Sequence, residues 1–122
     1  MKTWVLVLVI AFGISGCSKS LSEPPLNLLP GAEPSAKSRN DLGIKHYKAG
    51  RYQDALLHFN QANFADPTSG EIYFNLGLTY LQKGKKEKAV KSFRKARKLA
   101  KGSPKILQSA ILNELLLDSQ EG

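Results

Sequence analysis

The chain is poor in the residues that build reactive centres. It has one cysteine and two histidines in 122 residues. A lone thiol closes no internal disulfide, and so few soft ligands leave no zinc module. Aromatic residues make up only 8% of the chain and hydrophobic residues 42%, which fits a helical globular protein better than a β-sandwich or a disordered tail. A phosphate-binding glycine loop is missing, because Gly84-Lys85-Lys86 lacks the upstream glycine of a P-loop. The carboxylates are scattered, and no nucleophile stands in register with a base. His46 falls at a packing position of a helix and His58 beside one, at the surface. Catalytic residues, metal ligands and cofactors are therefore not expected.

Long hydrophobic runs are also absent. The longest, Trp4 to Ile14, has 11 residues, short of the roughly 20 that a membrane-spanning helix needs. It follows the cationic start Met1-Lys2-Thr3 and has the dimensions of a secretory signal core. Ile14-Ser15-Gly16-Cys17 comes next and resembles a bacterial lipobox. The resemblance implies a signal peptide over residues 1–16, cleavage before Cys17, a diacylglycerol on its thiol and an acyl chain such as palmitate on the new amino terminus. The alternative is an ordinary signal peptide with an incidental cysteine. The position of the only cysteine, directly at the end of the apolar run, favours lipidation. Two or three acyl chains, at about 0.8 kcal/mol per buried methylene, anchor firmly. By resemblance to enterobacterial-type lipoproteins, Ser18 directs the protein to the outer membrane, at its periplasmic face.

Residues 17–35 hold four of the six prolines, Pro24, Pro25, Pro30 and Pro34. Proline removes N–H donors and fixes φ, so neither helix nor sheet is expected there. The segment reads as a tether that holds the domain off the lipid surface. The rival reading docks Leu26, Leu28 and Leu29 on the domain or on a partner; the spacer reading is the stronger.

The remaining sequence repeats. A shift of 34 positions superposes Leu42-Gly43 on Leu76-Gly77, Gly50 on Gly84, Ala55 on Ala89, Phe59 on Phe93 and Ala62 on Ala96. Helices are expected near 38–49, 53–65, 71–83 and 86–100, with glycine where one helix crosses another and glycine again where the first helix of each unit stops. Ser103-Pro104 opens a further helix with Ile106, Leu107, Ala110, Ile111 and Leu115 on its apolar side.

This period and its small-residue positions resemble the tetratricopeptide repeat. The resemblance implies an all-α fold, a right-handed α-solenoid of two helix-turn-helix units (36–69 and 70–103) closed by a C-terminal capping helix (104–118). Arg39 and His46 depart from the family's aromatic positions, as does Lys86, where the first unit has Tyr52; Lys101 stands where proline is usual, with Pro104 just beyond. Three repeats are usually needed for stability, so two are expected to gain from a partner or from homodimerisation.

Family groove positions carried onto the chain give Lys37, Asn40, Ile44, Tyr47 and Lys48 from the first unit. The second gives Glu71, Phe74, Asn75, Leu78, Leu81 and Gln82. Asparagine would be needed at Ile44 and Leu78 to clamp a terminal carboxylate. The apolar Ile44, Tyr47, Phe74, Leu78 and Leu81 instead suit an extended peptide or an amphipathic helix of a protein partner. The competing reading packs these residues under the last helix or in a dimer.

Charge is concentrated. Lys83 to Lys105 contains eleven basic residues and one acid, Glu87, in a chain of net charge +8. The buried stripe Ala89, Phe93, Ala96 and Ala100 turns Lys91, Arg94, Lys95 and Lys98 outward. Such a face attracts an anionic envelope component (phospholipid, lipopolysaccharide or wall polymer), equally steers an acidic protein partner, or simply solubilises the domain. Nucleic acid is not an expected partner, since export separates the domain from it and no aromatic side chains interleave the charges.

Overall fold

The computed structural model describes residues 22–120. The leader over residues 1–16 and Cys17 lie outside the described residues. Six helices follow one another without a strand among the described residues: α1 Pro34–Lys48, α2 Tyr52–Ala65, α3 Gly70–Gln82, α4 Lys86–Lys98, α5 Pro104–Leu107 and α6 Ala110–Asp118. Helix α1 packs on α2 and α3 on α4, and α2 abuts α3, so two helical hairpins stack side by side.

Helix α1 starts four residues before the expected position. Pro34 occupies its first turn, and the Glu33 carboxylate accepts from the backbone N–H of Ser35 at 3.1 Å and of Ala36 at 2.6 Å. Proline costs nothing where the N–H is orphaned anyway. Those bonds, Ala36 first, hold the Glu33 carboxyl below its ordinary value.

Both hairpins turn in the same way. Gly50 and Gly84 have φ of +75° and +71°. Arg51 N–H reaches His46 C=O, and Lys85 N–H reaches Tyr80 C=O, each at 2.9 Å. Gly50 and Gly84 N–H close the inner bonds to Tyr47 and Leu81. This is the Schellman arrangement, which satisfies the last carbonyls of a helix and needs a left-handed residue.

The other repeated glycines serve contact. A Cβ on Gly43 would stand 2.5 Å from the Phe59 ring, and one on Gly77 would stand 2.6 Å from the Phe93 ring. Phe59 and Phe93 are fully buried, each stabilising the fold by roughly 1.5–3 kcal/mol. One core surrounds Phe59 with Ala36, Ile44, Ala55 and Ile72; the other surrounds Phe93 with Phe74, Leu78, Ile106, Leu112 and Leu116.

The expected capping helix is two helices. Ser109 is extended between α5 and α6, and its Oγ accepts from Leu112 N–H at 3.1 Å, which makes it an N-cap and breaks the run. Of Leu115-Leu116-Leu117, Leu116 is buried, Leu115 half-buried and Leu117 exposed. The turn from α4 to α5 carries Lys101 at φ +48° and Gly102 at +79°. Proline cannot reach a positive φ, so lysine stands where the repeat pattern has proline.

Candidate functional site

Residues 22–33 do not behave as the expected free spacer. They cross the face formed by α1 and α3 in an extended conformation, and three contacts fix them there. We refer to them as the strap.

The first contact is a clasp on the main chain. Leu26 N–H donates to Asn75 Oδ1 at 2.7 Å, and Leu26 C=O accepts from Asn75 Nδ2 at 2.8 Å and Asn40 Nδ2 at 3.0 Å. Asn75 Nδ2 also donates to Asn40 Oδ1 at 2.8 Å. Both asparagines are fully buried. Their amides are spent on one another and on a single peptide unit, so the cost of burying them is met only while that peptide is present.

The second contact joins the strap to the far end of the fold. Glu23 Oε2 accepts from Ser109 Oγ at 2.7 Å and Oε1 from Ile111 N–H at 3.0 Å. A carboxylate at the start of α6 meets an orphan N–H and the positive end of the helix dipole. The third contact is apolar: Leu28 and Pro25 are buried, Leu28 beside Ala36 and Ile44, while Leu26 packs toward the Phe74 cluster. A turn through Pro30 and Gly31 (φ +88°), closed by Ala32 N–H to Leu29 C=O at 3.2 Å, leads into α1. Proline then a positive-φ glycine is the signature of a type II turn.

The groove residues separate accordingly. Phe74 and Leu78 are 1% and 2% exposed and Ile44 is 7%; all three belong to the cores and present no surface to a partner. Phe74 lies against the Phe93 ring at 5.6 Å between centroids, and Leu112 and Leu116 of α6 close over this cluster. Asn75 is inside the clasp. Tyr47 and Leu81 are half-buried at the edge, and Lys48 is exposed. Burial pushes the Tyr47 hydroxyl pKa up, against an opposing hydrogen bond donated by Gln82 Nε2 at 3.4 Å. Lys37 pairs with Asp41 at 2.8 Å on the exposed side of α1.

A hollow of about 470 Å³ remains beside the strap. Leu26 to Ala32 line one side, and Ser69 to Glu71 with Leu99 to Lys105 line the other.

The basic side chains Lys91, Arg94, Lys95 and Lys98 all stand exposed on α4. Lys95 of this face and its neighbour Lys88 lie over rings: Lys95 Nζ is 5.5 Å from the Tyr73 centroid and Lys88 Nζ 5.8 Å from that of Tyr80. Arg94 donates to Ser119 Oγ at 3.1 Å. The histidines stack on one another at 5.0 Å between centroids, with Arg51 Nε donating to His46 Nδ1 at 3.0 Å. His58 is half-buried rather than at the surface, because that stack covers it.

Sequence reasoning placed Asn40 and Asn75 separately in the groove and missed the pair. They are 35 residues apart, one off the repeat, so the register that revealed the repeats hid the clasp. Glu23 was missed altogether. Its only signal is an acid set three residues before the Leu-x-Leu of the proline-rich segment.

Among the described residues, no helix is long and apolar enough to cross a membrane, and no cluster of three or more metal-ligating side chains occurs. No curated protein matches the chain. The family model of the tetratricopeptide repeat matches residues 40–104. Two stacked hairpins, glycines at both helix crossings and this match together establish that the chain belongs to the tetratricopeptide repeat family, whose repeats mediate protein–protein interaction.

Proposed function

We propose that the chain is a non-catalytic interaction module of a bacterial cell envelope, anchored through acylated Cys17 at the periplasmic face of the outer membrane, where it holds a protein partner. The observation that carries this reading is the Asn40–Asn75 clasp: a buried pair of amides that grips the main chain of an extended segment. Recognition of backbone is how a groove accepts a peptide irrespective of most of its side chains. The lipobox-like Ile14-Ser15-Gly16-Cys17 supports the anchor.

The test is affinity capture of the protein from its own envelope, with mass spectrometry of what is retained. The bait is compared with Leu28→Asp, which loosens the strap. A partner that uses the groove is recovered in greater amount with Leu28→Asp. Equal recovery places the partner on another surface. The mass of the bait itself reads the anchor, which requires a chain beginning at acylated Cys17.

A second reading, binding of an anionic envelope component, is favoured by the exposure of Lys91, Arg94, Lys95 and Lys98 on one helix. Near a charged bilayer each contributes about 1 kcal/mol. Sedimentation with phosphatidylglycerol vesicles should then weaken with salt and with Lys91→Gln, Lys95→Gln and Lys98→Gln combined. Vesicle binding indifferent to both would remove this reading.

A further inference from the structure

We propose that the groove recognises an extended segment of pattern Glu-x-Pro-Leu-x-Leu, that Glu23–Leu28 is a built-in copy of it, and that a protein partner gains the groove by presenting the same pattern and displacing the strap. This rests on the chain being an interaction module and adds what the partner's segment looks like and what keeps it out.

The strap is bound as a ligand is bound. Its three points of contact are the Glu23 carboxylate on Ser109 and Ile111, the Leu26 peptide unit in the clasp, and the buried Pro25 and Leu28 side chains. Of the positions between them, Pro24 and Asn27 are exposed and not read, whereas Pro25 is buried; Leu29 beyond them is 65% exposed. Among the described residues, the strap's backbone–backbone hydrogen bonds are its own turn, Ala32 N–H to Leu29 C=O, and Lys37 N–H to Glu33 C=O where α1 begins; none joins residues 22–29 to a helix. Side chains alone hold it to the helices, so it leaves without breaking any helix or ladder. The turn at Pro30-Gly31 gives it a hinge. The hollow alongside it leaves room for an entering chain, and its rim carries charges of both signs, Asp66 and Glu71 with Lys101 and Lys105.

Linkage sets the strength of the block. A segment joined by a short connection has an effective concentration on the order of 1 mM. A strap whose free counterpart binds at about 10 µM then weakens an incoming peptide roughly 100-fold.

The experiment uses the full chain in detergent and a fluorescein-labelled peptide SEPPLNLLPG, read by anisotropy. In the test protein, Glu23→Ala and Leu28→Asp disable the strap and leave the clasp intact. The labelled peptide should bind this protein at least tenfold more tightly than it binds the unaltered chain. The same two changes made in the peptide should remove the binding. Equal affinity for both proteins, or no binding by a variant whose helicity is intact, overturns the proposal. A second protein carries a protease site between Pro30 and Gly31. After cleavage, excess peptide should displace the strap with helicity retained; a strap that stays in place, or helices that melt when it leaves, refutes displacement. Peptide binding is measured without any envelope partner. Its failure therefore leaves the interaction reading to stand on another surface, whereas failed capture from the envelope with peptide bound tells against that reading.

Discussion

Replacing Asn75 by alanine tests whether the clasp fixes the strap. The substitution removes one amide that makes three hydrogen bonds. Leu26 C=O keeps its bond from Asn40 at 3.0 Å, but Leu26 N–H and Asn40 Oδ1 lose their partner. Each buried, unpaired group costs about 1–3 kcal/mol. The strap has an escape, because it can lift away and hydrate, so the loss is capped by what docking contributes. Leu28 supplies about 2 kcal/mol of that through burial. We therefore expect Asn75→Ala to cost about 2–3 kcal/mol and Leu28→Ala about 2 kcal/mol. The double variant should cost about 3 kcal/mol rather than the sum, because a strap already detached has nothing further to lose. Urea unfolding followed by circular dichroism measures all four proteins, with Phe64→Ala, at a side chain 91% exposed, as the neutral control. Additivity within about 0.5 kcal/mol would refute the reasoning, and so would an Asn75→Ala effect too small to measure.

Gly43→Ala and Gly77→Ala should each destabilise by about 1–3 kcal/mol, since the added methyl meets the Phe59 or Phe93 ring at 2.5 or 2.6 Å and the gain in helix propensity is smaller than that clash; thermal melts decide, and a rise in Tm contradicts the packing described. Lys101→Gly should stabilise by about 1 kcal/mol by relieving a positive φ, while Lys101→Pro should disrupt the corner before α5. The Glu33 carboxyl is held below its ordinary value by its bonds to Ala36 and Ser35. Its contribution is present above the unfolded glutamate range and is lost as pH falls through the lowered value. Protection of the Ser35 and Ala36 amides, measured against their intrinsic exchange, should therefore fall as pH drops below the ordinary glutamate range, and Glu33→Gln should abolish that dependence.

The fold was legible because its rules are local. Glycine at Gly50 and Gly84 answers to a left-handed turn, and Gly43 and Gly77 answer to a ring lying on the helix, so identical demands produced identical residues at one offset. The stripe Ala89, Phe93, Ala96 announced the buried side of α4 in the same way. The site was less legible because its contacts are long-range and do not repeat. Glu23 acts on Ser109 and Ile111, which lie 86 and 88 residues away. Ile44, Phe74 and Leu78 look like a groove on a helical wheel, but α6 and the strap turn that face into interior. The break at Ser109 was hidden because an apolar stripe ran through it.

The bond from Glu23 to α6 also sets an order of events in folding. Helices α1 to α4 pair with near neighbours in sequence and can form early. The strap precedes all of them in the chain, yet Glu23 at its leading edge has nothing to hold until α6 has formed. Until the strap docks, the Asn40 and Asn75 amides stand wet and untaken, and closure of the ring from strap to last helix is the nonlocal step. Whatever reaches the folding helices first, the chain's own segment or a stranger's, meets an open seat.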